Sequence, residues 1–549
     1  MYKSTDLTSN DSFYKSDRLY KAAIGLILLF GIVIRLFHFF YNRSLWEDEI
    51  YLSAGIIDMD LWQLLTKPLP YFQKAPIGYL LISKLMVMLF GKNEMSLRLY
   101  PLMSGIISLI LFYSITRRYL KPVGVIVALC IVAFAPPLIY YHTEAKPYGT
   151  DMLATLMVLS LYHKYQRLTT PREAFSLGLL GAIIIWFAYP AIFVLAAAGI
   201  TILIVKIRQK NKQGIQWLVL VGAVWIASFI VNYIFFTRDG SSSQWLVDFW
   251  EKHDAYMPLQ PVAGFIWLFH HISSFFLHPL GFSWFHQYEQ PNMFLQLLNR
   301  LFFLPLILSA LGVIYYWLNN KKLLLYCSAV LSIAFAVAAL HQYPFHERLT
   351  VYLVPFMVLL IAGGVQFCVD RAGAVKWLGY VAGIFIISAL LKNSVEEVVH
   401  PALFGGYKRS YQRDAMAFIG KHYQPGDLVY VYYNELPNFL FYQKMYPQPF
   451  KKVILGADHR RHSNNFSEYF SLVDRDIQNA GKDKRIWVIY NVIDAPLGEY
   501  LGDPAWYYHD NDAVNRLHKH LRSEYKVLTS FAPKGKEATP DVFVDLIEK

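Results

Sequence analysis

Four short clusters hold the residues of this 549-residue chain best able to do chemistry. Trp46-Glu47-Asp48-Glu49 sets three carboxylates side by side. Adjacent carboxylates repel unless a cation, metal or proton relieves them. One is therefore a candidate general base, with a neighbour to orient an acceptor group or help bind a cation. The plain alternative is a solvated acidic collar. Tyr71-Phe72-Gln73-Lys74-Ala75-Pro76 offers Lys74 as a point charge suited to phosphate, in a segment stiffened by proline. A lysine snorkelling at an interface would look the same. Tyr140-Tyr141-His142-Thr143-Glu144-Ala145-Lys146-Pro147-Tyr148 packs an imidazole, a carboxylate and an ammonium among tyrosines, which also suit an aromatic belt. His341-Gln342-Tyr343-Pro344-Phe345-His346-Glu347-Arg348 ends on a guanidinium whose planar fork fits a phosphate or carboxylate. The spacing of His341 and His346 matches no standard zinc motif.

The elements that must position these clusters are membrane helices. The chain is 55% apolar and only 16% charged, with 17% aromatics and a positive mean hydropathy. Soluble domains carry about a quarter charged residues, so lipid is the expected solvent. Eleven apolar runs suit spanning helices: 22–41, 96–116, 122–140, 147–165, 174–189, 190–207, 216–236, 298–318, 322–340, 349–368 and 374–392. The fifth and sixth meet at Tyr189-Pro190, and a single kinked span there would invert everything downstream. The net charge of +12 sits in short loops between the runs, at Lys3, Lys15, Arg18 and Lys21, then Arg117, Arg118 and Lys121, and so on to Arg371 and Lys376. Such loops stay cytoplasmic, so the basic balance reads as topology and nucleic-acid binding is excluded. All four chemical clusters then fall on the outer face, where charges near hydrocarbon tend to be functional or paired.

The organisation follows: a transmembrane domain over 1–393, with outer loops 42–95 and 237–297, and a soluble outer domain over 394–549. In the first loop, 49–60 and 77–90 read as surface helices, apolar faces to lipid and Asp58, Asp60 and Lys84 to water. The second loop carries Trp245, Trp250 and Trp284, suited to stacking on sugars or to anchoring at the interface. The tail alternates β-rich runs at 427–433, 485–490 and 541–546 with helical periodicity at 467–480 and 512–525, predicting a small α/β domain with a partly parallel sheet. Cys130, Cys327 and Cys368 lie inside predicted spans and form no disulfide or thiolate metal framework. The first span is longer than a signal core and lacks a small-residue cleavage site, so it is expected to remain as an anchor.

The acidic pair after the first span, the Lys-x-Pro segment closing the first outer loop and the arginine of a late outer loop resemble the GT-C superfamily. The branch is the one holding protein O-mannosyltransferases and the lipid A aminoarabinose transferase. The resemblance covers about residues 20–370. It implies a GT-C-like membrane part and is compatible with the residue reading: a polytopic α-helical membrane protein of about 11 transmembrane helices with a C-terminal extracytoplasmic α/β domain, which carries no motif of the family. Asp48 looks like the family's catalytic aspartate, with Glu49 beside it. Phe72-Gln73-Lys74-Ala75-Pro76 resembles Glu-Lys-Pro-Pro, which makes Lys74 a phosphate contact; Gln73 and Ala75 are departures, and Gln73 removes an acidic side chain. Glu144-Ala145-Lys146-Pro147-Tyr148 resembles a segment that more often has Arg at Lys146, and Arg348 resembles the arginine on the carrier phosphate. His142, Glu144, Tyr148, Tyr343 and His346 complete the expected substrate contacts.

The function so implied is transfer of a sugar from a polyprenyl-phosphate donor to a lipid, glycan or protein acceptor in a bacterial inner membrane, inverting at the anomeric carbon. No cofactor is required by the residues themselves, though a divalent metal is compatible with the acidic cluster. The competing reading is a transporter or flippase of a lipid-linked saccharide. It expects charges near the bilayer midplane, for which Arg35 and His38 are the candidates.

Overall fold

In a computed structural model the described residues are 18–237, 244–286, 291–481, 484–492, 504–508, 512–533 and 541–548. They form two compact units. One comprises Met1–Tyr41, Met59–Gly91 and Met95–Phe404; the other comprises Asn42–Asp58, Lys92–Glu94 and Gly405–Lys549.

The first unit is a helical membrane bundle. Among the described residues, eight helices are long and apolar enough to cross a bilayer: Arg18–Tyr41, Glu94–Thr116, Ala191–Arg208, Lys212–Phe236, Met293–Asn319, Lys321–Ala339, Glu347–Val369 and Ala374–Val399. Of the three other expected spans, Tyr148–Tyr165 is one unbroken helix of 18 residues that is more polar, and the remaining two are shorter or broken. The helix Pro171–Ile184 has 14 residues, about 21 Å of rise against the roughly 30 Å of hydrocarbon. It ends before Tyr189-Pro190, and a separate helix, Ala191–Arg208, starts beyond it. The run 122–140 divides at Ala135 into Pro122–Phe134 and Pro136–Tyr141.

That division has a chemical cause. Pro136 and Pro137 have no N–H to give the carbonyls of Val132 and Ala133. Arg35, fully buried in the first span, supplies the donors instead: Nη2 to Val132 O at 2.9 Å and Nη1 to Ala133 O at 3.0 Å and Gly31 O at 2.9 Å. Ser394 Oγ donates to Phe134 O at 2.6 Å. A buried arginine that looked like a transport charge is thus engaged in satisfying a broken helix. His38 is buried too, stacked on Phe404 with ring centroids 3.5 Å apart.

The tightest helix crossing rests on two glycines. A Cβ on Gly312 would lie 1.9 Å from Leu360 O, and one on Gly364 would lie 1.9 Å from Leu308 O. The helices Leu304–Asn319 and Val354–Val369 therefore meet backbone to backbone, as small residues allow in membranes.

The second unit is built on a five-stranded sheet of β1 (Leu428–Val431), β2 (Val453–Leu455), β3 (Ile486–Asn491), β4 (Lys526–Ser530) and β5 (Val542–Glu548). The order is β2-β1-β3-β5-β4, parallel at β1–β2 and β1–β3 and antiparallel at β3–β5 and β4–β5. The partly parallel sheet matches the reading of the tail. The helices Phe466–Ala480 and Ala513–Glu524 follow the periodicity and bury Tyr469, Val473, Leu517 and Leu521 beside Tyr430 and Val488 of the sheet.

The helix Glu47–Asp58 differs from expectation. It is packed into this second unit, with Glu49, Ile50 and Leu52 through Ile57 buried, so it does not lay an apolar face on lipid. Residues from more than 350 positions away hold it. Tyr442 Oη accepts from Leu45 N at 2.7 Å, and Lys444 pairs with Asp58 at 2.6 Å. In the first unit Lys84 is also buried, on the Ile77–Phe90 helix, and does not point to water. Asp60 is exposed as expected and closes a capping box with Gln63 on the helix Leu61–Thr66.

Candidate active site

Three of the four clusters lie in the membrane unit and are linked there. Lys146 Nζ donates to Gln73 Oε1 at 2.7 Å, joining the second cluster to the third. The departure from an acidic residue at Gln73 therefore leaves a neutral acceptor beside a nearly buried ammonium. The Arg348 guanidinium lies 5.6 Å from the centroid of the Tyr148 ring and 5.9 Å from that of Trp250, joining the third cluster to the fourth. Aromatic faces hold a guanidinium by cation–π attraction while leaving its in-plane N–H groups available to an anion.

The backbone before two of the three candidate phosphate contacts, Lys74 and Arg348 but not Lys146, is in the left-handed region. Tyr71 and Phe72, just ahead of Gln73-Lys74, have φ of 55° and 53°, and Glu347, directly before Arg348, has φ of 30°. Such conformations cost about 1–3 kcal/mol each in non-glycine residues and cluster at functional sites. Lys74 is half-buried.

His142 is completely buried and accepts from Arg35 Nε at Nδ1, 3.2 Å. Burial first, and the Arg35 charge second, push its pKa well down, so the ring is neutral with its proton on Nε2. It is wedged between two glycines: a Cβ on Gly105 would lie 2.4 Å from His142 Cγ, and one on Gly149 2.8 Å from Cδ2. His142 thus ties the loop 142–147 to the helix break beside it. Glu144 and Lys146 are buried on the same loop. His346 packs on Trp250 at 5.6 Å, and burial holds its pKa below the usual value against the opposing pull of Glu347. Tyr343 stacks edge-on to Phe193 and Tyr352, and burial, with the Asp151 charge next, raises its phenol well above the ordinary range.

Asp151 was not among the residues singled out from sequence. It lies in the first turn of the helix Tyr148–Tyr165, 6% exposed, and interacts electrostatically with Tyr100, Tyr343 and Tyr352. Its Oδ1 is buried with no hydrogen-bond partner among the described residues. The signal was present as an acid inside an apolar run, which is costly and therefore informative.

Of the tryptophans, Trp250 is buried against Ala255 and Tyr256 as well as Arg348, and Trp284 packs on Phe385. The side chain of Trp245 lies outside the described ones. His341 has φ of 55° and packs on Tyr256, with ring centroids 4.5 Å apart.

The acidic cluster belongs to the second unit, in the first turn of the helix Glu47–Asp58, where carboxylates complement the helix dipole. Glu49, fully buried, lies 3.5 Å from Arg43 Nη2 and accepts from Trp46 N at 3.3 Å; Glu47 accepts a short hydrogen bond from Tyr51. Asp48 is half-exposed between them. The loop leading in is held by Arg413, which donates to Asn42 O at 2.6 Å and Glu94 Oε1 at 2.9 Å, while its backbone N donates to Ser44 Oγ at 3.3 Å. Among the described residues no group of three His, Cys, Asp or Glu is placed to hold a metal.

These features describe a polytopic helical membrane protein. The apo oligosaccharyltransferase of Archaeoglobus fulgidus shares the fold at a TM-score of 0.50 and 11% identity, over 95% of this chain and 74% of that one. ArnT from Cupriavidus metallidurans bound to undecaprenyl phosphate matches at a TM-score of 0.48 and 12% identity, over 95% and 98%. Residues 74–234 match the dolichyl-phosphate-mannose-protein mannosyltransferase family model, a segment holding Lys74, His142, Lys146, Tyr148 and Asp151. The family match is confined to this segment, and the match to the apo oligosaccharyltransferase shows a shared fold. No curated protein matches the sequence.

Proposed function

We propose that this protein is an inverting glycosyltransferase that moves a sugar from a polyprenyl-phosphate donor to a lipid, glycan or protein acceptor. The work would be done at the outer face of a bacterial inner membrane, with the C-terminal domain outside. The observation that carries the reading is the linkage of three cation-bearing outer loops in the membrane unit through Lys146–Gln73 and Arg348–Tyr148. The matched family model is named for a dolichyl-phosphate sugar donor, and the matched segment contains Lys74 and Lys146.

In this reading an acceptor O–H or N–H attacks the anomeric carbon, its proton passes to Asp48, and the bond from that carbon to the phosphate oxygen breaks. The electron pair leaves with the polyprenyl phosphate, whose growing charge Lys74, Lys146 and Arg348 stabilise. Glu49 is committed to Arg43 and acts on Asp48 by fixing its turn. Glu144, Tyr148, Tyr343 and His346 contact the saccharide or phosphate, and His142 positions the loop that carries Glu144 and Lys146. A divalent metal would have to draw on Asp48 and Glu47.

The test is transfer of radiolabelled sugar from polyprenyl-phosphate carriers by purified protein, comparing wild type with Arg348→Ala and Arg348→Lys. The expected result is turnover by wild type, with Arg348→Ala losing roughly 100-fold in kcat/KM, in line with one lost charge-assisted phosphate contact of about 3 kcal/mol. Lysine should recover part, since it keeps the charge without the fork. An Arg348→Ala enzyme as active as wild type would remove Arg348 from the donor site.

A further inference from the structure

The helix Gln244–Lys252 brings to Arg348 a residue that the transfer chemistry leaves unused. It runs into a turn at Asp254, whose φ of 54° lies in the left-handed region. Asp254 N donates to Glu251 O at 2.9 Å and Ala255 N to Trp250 O at 3.0 Å, so the chain folds back beside Trp250. Two bonds fasten the turn to the rest of the membrane unit. Trp267 Nε1 donates to Asp254 O at 2.8 Å, and Phe345 N donates to Ala255 O at 2.8 Å. The second bond sets this loop against the cluster that ends at Arg348.

The fastening collects two imidazoles and a guanidinium around one indole. The Trp250 ring centroid lies 5.6 Å from that of His346, 6.2 Å from that of His253 and 5.9 Å from the Arg348 guanidinium. The two imidazoles are 6.1 Å apart. His346 interacts electrostatically with Glu347, His253, Arg348 and His271. His253 is the exposed member, and His346 and Arg348 are half-buried, so an ion can reach the cluster without an enclosed cavity. His253 packs on the Phe249 ring at 4.4 Å, with Nδ1 2.7 Å from Phe249 O. A carbonyl can only accept, so Nδ1 carries a proton and Nε2 is the nitrogen left for a ligand.

That nitrogen distinguishes two states of a carrier phosphate. A sugar-linked donor is a phosphodiester, with one negative charge and no P–O–H. When the bond from the anomeric carbon breaks, its electron pair stays on the phosphate oxygen. The carrier is then a monoester with a second ionisable oxygen, which titrates near pH ~6. Between that oxygen and Nε2 one proton can lie on either atom, as P–O–H···N or as O⁻···H–N⁺, and both forms attract. A diester brings no proton to the contact.

We propose that His253 contacts the carrier phosphate beside Arg348 and favours the monoester product over the diester donor. The inference rests on the reading of Arg348 as a phosphate contact. It adds an interaction that strengthens as the leaving group departs, the kind that speeds the chemical step. A histidine that only closes the end of the helix would not discriminate between the two esters.

The test is binding of a polyprenyl phosphate, and of its methyl diester, to the full-length purified protein at neutral pH, read by native mass spectrometry. Wild type should bind the monoester about 10-fold more tightly, the worth of one charge-assisted hydrogen bond. His253→Ala should remove that preference by weakening the monoester alone, and the exposed position lets the variant fold. Arg348→Ala should weaken both ligands. If it does so while His253→Ala keeps the wild-type preference for the monoester, the proposal is overturned and the transferase reading stands. If neither variant changes either affinity, the phosphate does not lie at Arg348 and both fall.

Discussion

Replacing Arg413 by alanine should loosen the segment that carries Asp48 while leaving every group of the acidic cluster in place. Arg413 is the hub of the entry loop: its guanidinium bonds Glu94 and Asn42 O, and Glu94 is fully buried. Hydrogen bonds to charged groups are worth about 1.5–3 kcal/mol each, and removing one partner of a buried pair costs about 3–5 kcal/mol. Arg413 is 26% exposed and Tyr446 also donates to Glu94, so the lower end applies, about 3 kcal/mol. That corresponds to a rise of roughly 150-fold in the local opening equilibrium. Hydrogen-exchange mass spectrometry of peptides covering 43–57 reads it directly, as faster exchange there with no change in the bundle helices. Sugar transfer should fall in parallel, chiefly in kcat. Arg413→Lys should be intermediate, because an ammonium cannot fork to both acceptors. Unchanged exchange over 43–57 would refute the claim that the C-terminal domain seats the Asp48 helix through Arg413.

Two further outcomes follow from the packing and the charges. Gly105→Ala pushes a methyl to 2.4 Å from the His142 ring, which is fully buried; overpacking of this kind costs about 1–3 kcal/mol, so thermal stability in detergent should fall, whereas Gly25→Ala, with nothing within 4 Å, should not lower it. In the C-terminal domain Asp541 is held up at about 6 by burial, against hydrogen bonds from Ser410 and Tyr411 that favour the ionised form. A carboxyl raised from 3.8 binds its proton more tightly folded than unfolded, so folding is favoured below pH 4 and loses up to about 3 kcal/mol as pH rises through 6. Denaturation followed at the buried Trp487 should show that slope, and Asp541→Asn should flatten it.

Much of the bundle was legible because hydropathy and basic loops record the membrane directly. The two apolar runs meeting at Tyr189-Pro190 were readable from composition, but whether they form one kinked span or two was open until the helices were seen to end at Ile184 and restart at Ala191. The kink at Pro136-Pro137 was written in the sequence, but its partner Arg35, about 100 positions earlier, was not. β1, β3 and β5 fell within continuous apolar runs; β2 is three residues long and β4 is a half-exposed edge strand, so neither left a pattern. The helix Glu47–Asp58 was misread because its partner, around Tyr442 and Lys444, is nearly 400 residues distant and covers the face that looked free for lipid. The same limit hid the site's assembly. Residue types named Lys74, Lys146 and Arg348, but the linkage through Gln73 and Tyr148 is tertiary. Asp151 escaped because it was counted as part of a span.

The central claim is tested most directly by sugar transfer from a polyprenyl-phosphate donor with Asp48→Asn, a change that keeps the side-chain shape and removes the base. Purified wild type should transfer, and the variant should bind carrier with wild-type affinity while kcat falls by roughly 100- to 10,000-fold, the range general-base catalysis supplies. An Asp48→Asn enzyme that turns over at the wild-type rate would contradict the assignment of Asp48 as the base.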